Sequence, residues 1–276
     1  IADEMSQFSH PIDLSEIADL VKQQLEGEPD LIDLLFIFAD LEKSPSPEKL
    51  KEDAVKSISD HPLSSLFGAS FHDHEGKVIH KSQGANLADD GNIDAIRVQI
   101  AQHESLRREI HVSGQIQVAR RYIIERNYLG EDIFQELVQH SPFVPRDLIV
   151  TYSRGFARFF EGDCISALYI LTPMLENSLR HILKMHGHDV TTLDDAKQVQ
   201  EDRTISALFE QMRPELDQIF GDAIVADIES VFLSKPGPAL RHAVAHGLLN
   251  DGSPYSADAQ YACWLIFRLV CMPLFK

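Results

Sequence analysis

Apolar residues recur at three- and four-residue intervals between Asp163 and Gly187, and this spacing limits the possible fold more than any other feature of the sequence. Residues at that spacing lie on one face of a helix, so the segment predicts a long amphipathic helix. Asp163 is suited to accept a hydrogen bond at its start, and Gly187 to end it. The apolar stripe consists of Cys164, Leu168, Leu171, Leu175, Leu179 and Ile182.

The same helical periodicity covers most of the 276-residue chain. Between the helical segments, the polar stretch 188–203 is predicted to form a loop. Prolines at both ends of Ser141-Pro142-Phe143-Val144-Pro145 disfavour a continuous helix there. We therefore predict an all-α chain with a mostly helical N-terminal region, residues 1–143, and a helical bundle, residues 144–276.

A β-hairpin is predicted near residues 68–82, where alternating residues flank a polar turn that contains Gly76. Histidines and an acid lie close together in this segment, which also permits a metal-binding interpretation. We favour a solvated turn and expect no bound metal. The side chains concerned are those of His72, His74, Glu75 and His80.

The formal net charge is −18, and residues 1–149 contribute −13 of it, from 14 basic and 27 acidic side chains. A protein that holds a nucleic-acid duplex mainly by phosphate neutralisation should carry a basic face. The charge therefore limits any nucleic-acid contact to a few phosphates.

No run of about 18 uncharged apolar residues occurs, so no membrane-spanning helix is expected. Cys164, Cys263 and Cys271 lie in apolar helical contexts and have no metal-ligand spacing. They predict free, buried thiols and a reducing cytoplasmic location.

The segment Arg241-His242-Ala243-Val244-Ala245-His246-Gly247 carries the clearest candidate chemistry. A short helix over residues 239–246 would end at Gly247 in left-handed conformation. There the helix dipole would favour the charged form of His246, and Arg241 would supply a permanent cation for phosphate oxygens. Such a pair suits RNA cleavage by the 2′-hydroxyl, which needs proton transfer and charge stabilisation but no metal or cofactor.

Two other interpretations of this segment stay open. His242 and His246 have the i,i+4 spacing of metal ligands, although no nearby glutamate completes a zinc-protease motif. Alternatively, Arg241 pairs with a carboxylate and His246 satisfies a helix end. Glu176 and Arg180 form an i,i+4 pair in the apolar helix, so at least one of them is expected to point toward Arg241 and His246.

The segment Arg241–His246 resembles the R-x(4–6)-H signature of the HEPN superfamily (higher eukaryotes and prokaryotes nucleotide-binding). Together with Gly247 and the upstream stretch from Glu161 through Pro173, Glu176 and Arg180, it is similar to a domain-of-unknown-function family within that superfamily. That family has an R-N-x-x-x-H-G signature, and here His242 replaces its asparagine. The resemblance covers about residues 150–272.

This resemblance implies a helical bundle, often dimeric, that acts as a metal-independent endoribonuclease on RNA. His246 would then be the general acid or base, with His242 orienting or polarising it. Arg241 and Arg180 would bind the substrate phosphate, and Glu176 would position Arg241. The alternative within the same superfamily is a non-catalytic module that binds a nucleotide, RNA or a protein partner.

Overall fold

The computed structural model describes residues 12–27, 30–61, 70–72, 78–81, 93–194 and 199–275. Helices dominate these residues, which confirms the all-α class. The helices are α1 (Ser15–Glu26), α2 (Leu31–Ala39), α3 (Pro47–Asp60), α4 (Ile93–His111), α5 (Gln117–Arg126), α6 (Glu131–Val138), α7 (Ile149–Glu161), α8 (Cys164–Met185), α9 (Ile205–Gln211), α10 (Arg213–Phe220), α11 (Asp222–Phe232), α12 (Leu240–Ala245) and α13 (Ala257–Cys271). A π-helical turn at Val112–Ile116 joins α4 to α5, and short 3-10 turns occur at Arg146–Leu148, Ser253–Tyr255 and Met272–Leu274.

The predicted N-terminal hairpin is confirmed at the level of its backbone. Strand β1 (Ser70–His72) pairs in antiparallel register with strand β2 (Val78–Lys81), with an irregularity between Phe71 and His72. The turn with His74 and Glu75 lies outside the described residues, as do the side chains of His72 and His80. The expectation of a solvated turn without a bound metal therefore stays a prediction.

The prediction of a loop over residues 188–203 is wrong. Strand β3 (Thr191–Asp194) pairs in antiparallel register with strand β4 (Val199–Asp202), so that Thr191 faces Asp202. Both strands are mostly polar, and they lack the apolar alternation that marks a half-buried strand in a sequence. Backbone pairing forms this second hairpin without such a pattern, and Lys184 of α8 pairs with its Asp202 at 3.2 Å.

The capping residues predicted for α8 take the expected positions. The carboxylate of Asp163 accepts a hydrogen bond of 3.0 Å from the backbone N–H of Ser166. At the other end, Gly187 has a φ of +84°, a left-handed conformation that glycine adopts without steric cost. The six residues of the predicted stripe are all buried, so α8 presents one apolar face to the core.

The core is built around α13, in which every residue from Ala259 to Cys271 is buried. Its Trp264 indole donates a hydrogen bond of 2.8 Å to the carbonyl of Phe38 in α2. The rings of Phe38 and Phe160 lie 4.9 Å apart, which brings α2 against α7. The segments on the two sides of residue 143 therefore share one apolar core, and the domain division there stays a prediction.

All three cysteines are free and buried, as the sequence predicted. Burial raises the pKa of the Cys263 and Cys271 thiols well above the ordinary value. Within the described part of the chain, no helix is long and apolar enough to span a membrane.

Candidate active site

The short helix α12 carries the candidate residues and is held at both ends. At its start, Leu240 is buried in the core. At its end Gly247 has a φ of +62°, and its N–H donates to the carbonyl of Val244 at 3.3 Å. The N–H of Leu248 donates to the carbonyl of Ala243 at 2.9 Å. These two bonds form a Schellman motif, which confirms the predicted helix end.

Glu176 joins the long helix α8 to α12. Its Oε2 accepts a hydrogen bond from Arg241 Nε at 3.3 Å, and its Oε1 accepts one from Arg180 Nη1 at 2.7 Å. The side chain of Glu176 is only 15% exposed, whereas that of Arg241 is 30% exposed. As expected from the sequence, at least one member of the i,i+4 pair points toward Arg241: Glu176 holds the guanidinium by one edge.

His242 lies in α12 and His246 directly follows the last residue of that helix, one turn away. Their ring centroids are separated by 4.4 Å and their planes inclined by 52°. Both residues are exposed. The pKa of His242 lies below its ordinary value of 6.5, because the ring loses some hydration and because the positive charges of Lys235, His246 and Arg241 disfavour its protonated form. The neutral ring of His242 is thus the favoured form at neutral pH.

Arg241 and His246 lie on different sides of α12. Five steps along a helix rotate a side chain by about 140°, and His246 contacts the His242 ring rather than the guanidinium. Consequently Glu176 contacts Arg241, and His246 contacts the next residue along the chain, His242. The sequence singled out these four residues but not how they pair.

Arg180 is less accessible than the sequence suggested for a residue that binds substrate. Its side chain is 17% exposed, and its Nη1 donates both to Glu176 and, at 3.1 Å, to the carbonyl of Arg203. These contacts place Arg180 as a support for Glu176. Whether it touches substrate as well stays a prediction.

Sequence reasoning missed two cations beside this cluster. Lys235 is exposed, and its positive charge lowers the pKa of His242. Arg203 holds Arg180 through its carbonyl, and its own Nε is buried without a hydrogen-bond partner among the described residues. Lys235 precedes Pro236-Gly237-Pro238, a break before α12, and that position was the one available signal.

Metal ligands do not gather at this site. Among the described residues, no group of three or more histidine, cysteine, aspartate or glutamate side chains is arranged to hold a metal ion. The pair of His242 and His246 therefore lacks further protein ligands there. The arrangement instead offers one anchored guanidinium and two adjacent imidazoles, groups that bind anions and transfer protons.

Comparison of the chain with protein-family models, curated proteins and solved structures gave no match.

Proposed function

We propose that this chain is a metal-independent endoribonuclease of the HEPN type, with its site at α12. The observation that supports the proposal is that two adjacent residues, Arg241 and His242, each have a specific contact. Glu176 anchors Arg241 at 3.3 Å, and the His242 and His246 rings contact each other at 4.4 Å. The segment 241–246 thus carries a phosphate-binding cation and, from the next position, a proton-transfer pair, and these are the groups that cleavage by an internal hydroxyl requires.

The reaction needs two proton transfers and one charge stabilisation. An RNA 2′-oxygen attacks the adjacent phosphorus and loses its proton to a general base, while the 5′-oxygen of the next nucleotide leaves and gains a proton from a general acid. The products are a 2′,3′-cyclic phosphate and a free 5′-hydroxyl. No water, metal or cofactor is consumed.

Each side chain has a role in this scheme that suits its contacts. His246 transfers a proton to or from the reacting oxygens, and His242, whose ring is favoured in its neutral form, orients or polarises it. The Nε of Arg241 donates to Glu176, while the two terminal guanidinium nitrogens have no partner among the described residues. They can therefore pair with phosphate oxygens as charge develops.

We further propose that the chain acts as a homodimer. The support comes from α8, where Ile165 and Tyr169 are 37% and 38% exposed and one helical turn apart. They lie on the same helix as Glu176, so a second copy packed there would approach the site. Light scattering after size-exclusion chromatography checks this state, and Tyr169→Glu is expected to give a monomer.

Cleavage of a labelled RNA in EDTA tests the function. We expect wild-type protein to cut, His246→Ala to lose about 100-fold or more in rate, and Arg241→Ala to lose about 100-fold. His140→Ala and Arg121→Ala are matched controls, since both residues are exposed and lie on other elements. Equal cleavage by all five proteins would end the proposal, because the activity would not depend on α12.

The net charge of −18 favours a second function, a non-catalytic module that binds RNA or a nucleotide through few phosphates. In that case the same RNA binds without being cut. Arg241→Ala weakens the binding, while His246→Ala has little effect. Fluorescence anisotropy alongside the cleavage assay separates the two functions.

A further inference from the structure

A cavity of about 490 Å³ lies next to the loop that precedes α12. Helices α3, α4 and α11 form its walls, and Ser234, Lys235 and Gly237 of the loop complete it. Its volume is in the range of pockets that bind small molecules. The apolar part of the lining consists of Pro45, Pro47, Leu50, Ile100, Ala101 and Ala226.

The acids that line this cavity already have partners. Glu104 accepts hydrogen bonds from Arg107 at 2.8 and 2.9 Å. Asp227 accepts bonds from Tyr261 and Ser44 at 2.8 and 2.7 Å. Glu229 pairs with Arg213 at 2.5 Å. These carboxylates are satisfied within the protein, so they add little unpaired negative charge to the cavity.

The cations of the lining, in contrast, are unpaired. Arg97 and Lys235 are exposed, and neither has a hydrogen-bond or ion-pair partner among the described residues. Arg108, which is not part of the lining, is fully buried and pairs with Asp258; it also donates to the lining residue Ser230 at 3.2 Å, while its Nη2 has no partner in that part of the chain. A cavity with satisfied acids and unpaired cations attracts an anion.

The loop of the cavity leads directly into the candidate active site. It ends at Ala239, which has a φ of +44°, a left-handed conformation that is unfavourable for a residue with a Cβ atom. Such residues persist where the surrounding structure determines them, often at functional segments. Lys235 lines the cavity and stands in the loop that runs into α12, and its positive charge also lowers the pKa of His242.

We propose that the cavity is a binding site for a small organic anion with an apolar body, and that its occupant acts on α12 through Lys235. The anionic group would pair with Arg97 and Lys235, and the apolar body would pack against Leu50 and Ile100. Binding at the cavity does not depend on the proposed ribonuclease activity, whereas an effect on RNA cleavage does.

Fluorescence titration with anilinonaphthalene sulfonate, an anion with an apolar body, tests the binding. We expect saturable binding to wild-type protein, and about fivefold weaker binding, which corresponds to about 1 kcal/mol, for Arg97→Gln and for Lys235→Gln. Ala101→Phe fills the cavity and should remove this binding, while the control Arg121→Gln, on α5, should not change it.

Absence of saturable binding to wild-type protein would overturn the proposal. So would wild-type affinity in the cavity variants. If Ala101→Phe does not fold, as judged by circular dichroism, the exposed variants Arg97→Gln and Lys235→Gln decide the question, since neither replaces a core residue.

The link to the active site has its own measurement, an NMR titration of His242. Saturating dye is expected to raise the pKa of His242, because the anion offsets the charge of Lys235. Lys235→Gln should raise that pKa as well and should abolish the effect of the dye. An unchanged His242 pKa with the dye bound would refute the link. Neither measurement uses RNA, so both can succeed or fail independently of the ribonuclease.

Discussion

The pair of Glu176 and Arg180 should stabilise the protein more than a surface pair of the same length. Their oxygen and nitrogen lie 2.7 Å apart, with side chains 15% and 17% exposed. Arg158 and Glu161 offer a matched comparison, at 2.6 Å but 42% and 48% exposed. The two pairs differ in helix spacing, i,i+4 against i,i+3, which changes an exposed pair by only tenths of a kcal/mol. Burial is therefore the larger difference between them.

The expected magnitudes follow from the surroundings. Two unit charges about 4 Å apart attract by about 4 kcal/mol near a protein surface and by about 1 kcal/mol in water. Loss of hydration offsets part of the larger value, so we expect a coupling of about 1–2 kcal/mol for Glu176 and Arg180. The pair of Arg158 and Glu161 should couple by about 0.3 kcal/mol.

Two double-mutant cycles measure these couplings by urea unfolding. Each cycle compares wild type, the two single alanine variants and the double variant. Glu176→Ala alone should cost about 1.5–3 kcal/mol, because it leaves a partly buried guanidinium without its carboxylate. A coupling for Glu176 and Arg180 no larger than that for Arg158 and Glu161 would refute the reasoning, because burial would then not strengthen the pair.

Three further predictions concern single positions. An added Cβ at Gly155 would lie 2.6 Å from Leu171 Cδ2, so Gly155→Ala should lower the free energy of unfolding by about 1–3 kcal/mol, while Gly27→Ala, with nothing within 4 Å, should not lower it. Gly247→Ala meets no neighbour but forces alanine to a φ of +62°, so it should cost about 1 kcal/mol in urea unfolding; an unchanged midpoint would contradict the Schellman end of α12. Burial lowers the pKa of His111 below 6.5, so the folded protein binds this proton less tightly and loses stability as the pH falls below 6.5. His111→Gln should make that loss shallower in thermal melts, and an identical pH dependence would show that His111 does not contribute.

The sequence was informative where local chemistry decides the structure. Asp163 and Gly187 bound α8 because a side-chain cap and a left-handed glycine act within a few residues. Gly247 ended α12 for the same reason. Helical periodicity alone likewise was enough to predict the apolar stripe of α8.

The unpredicted features depend on contacts between distant parts of the chain. The bond from Trp264 to the Phe38 carbonyl joins residues 226 positions apart, and no spacing rule anticipates it. The cavity beside Lys235 likewise needs residues from three helices and a loop. At the site, the contact between the tilted rings of His246 and His242 depends on the rotamers of two exposed side chains, which no spacing rule gives.

The most direct test of the proposed chemistry is the identity of the RNA ends. Mass spectrometry of products formed by wild-type protein in EDTA should find a 2′,3′-cyclic phosphate on one fragment and a 5′-hydroxyl on the other, and His246→Ala should form neither at a comparable rate. Fragments with a 5′-phosphate, or identical products from His246→Ala at the wild-type rate, would contradict internal attack assisted by α12.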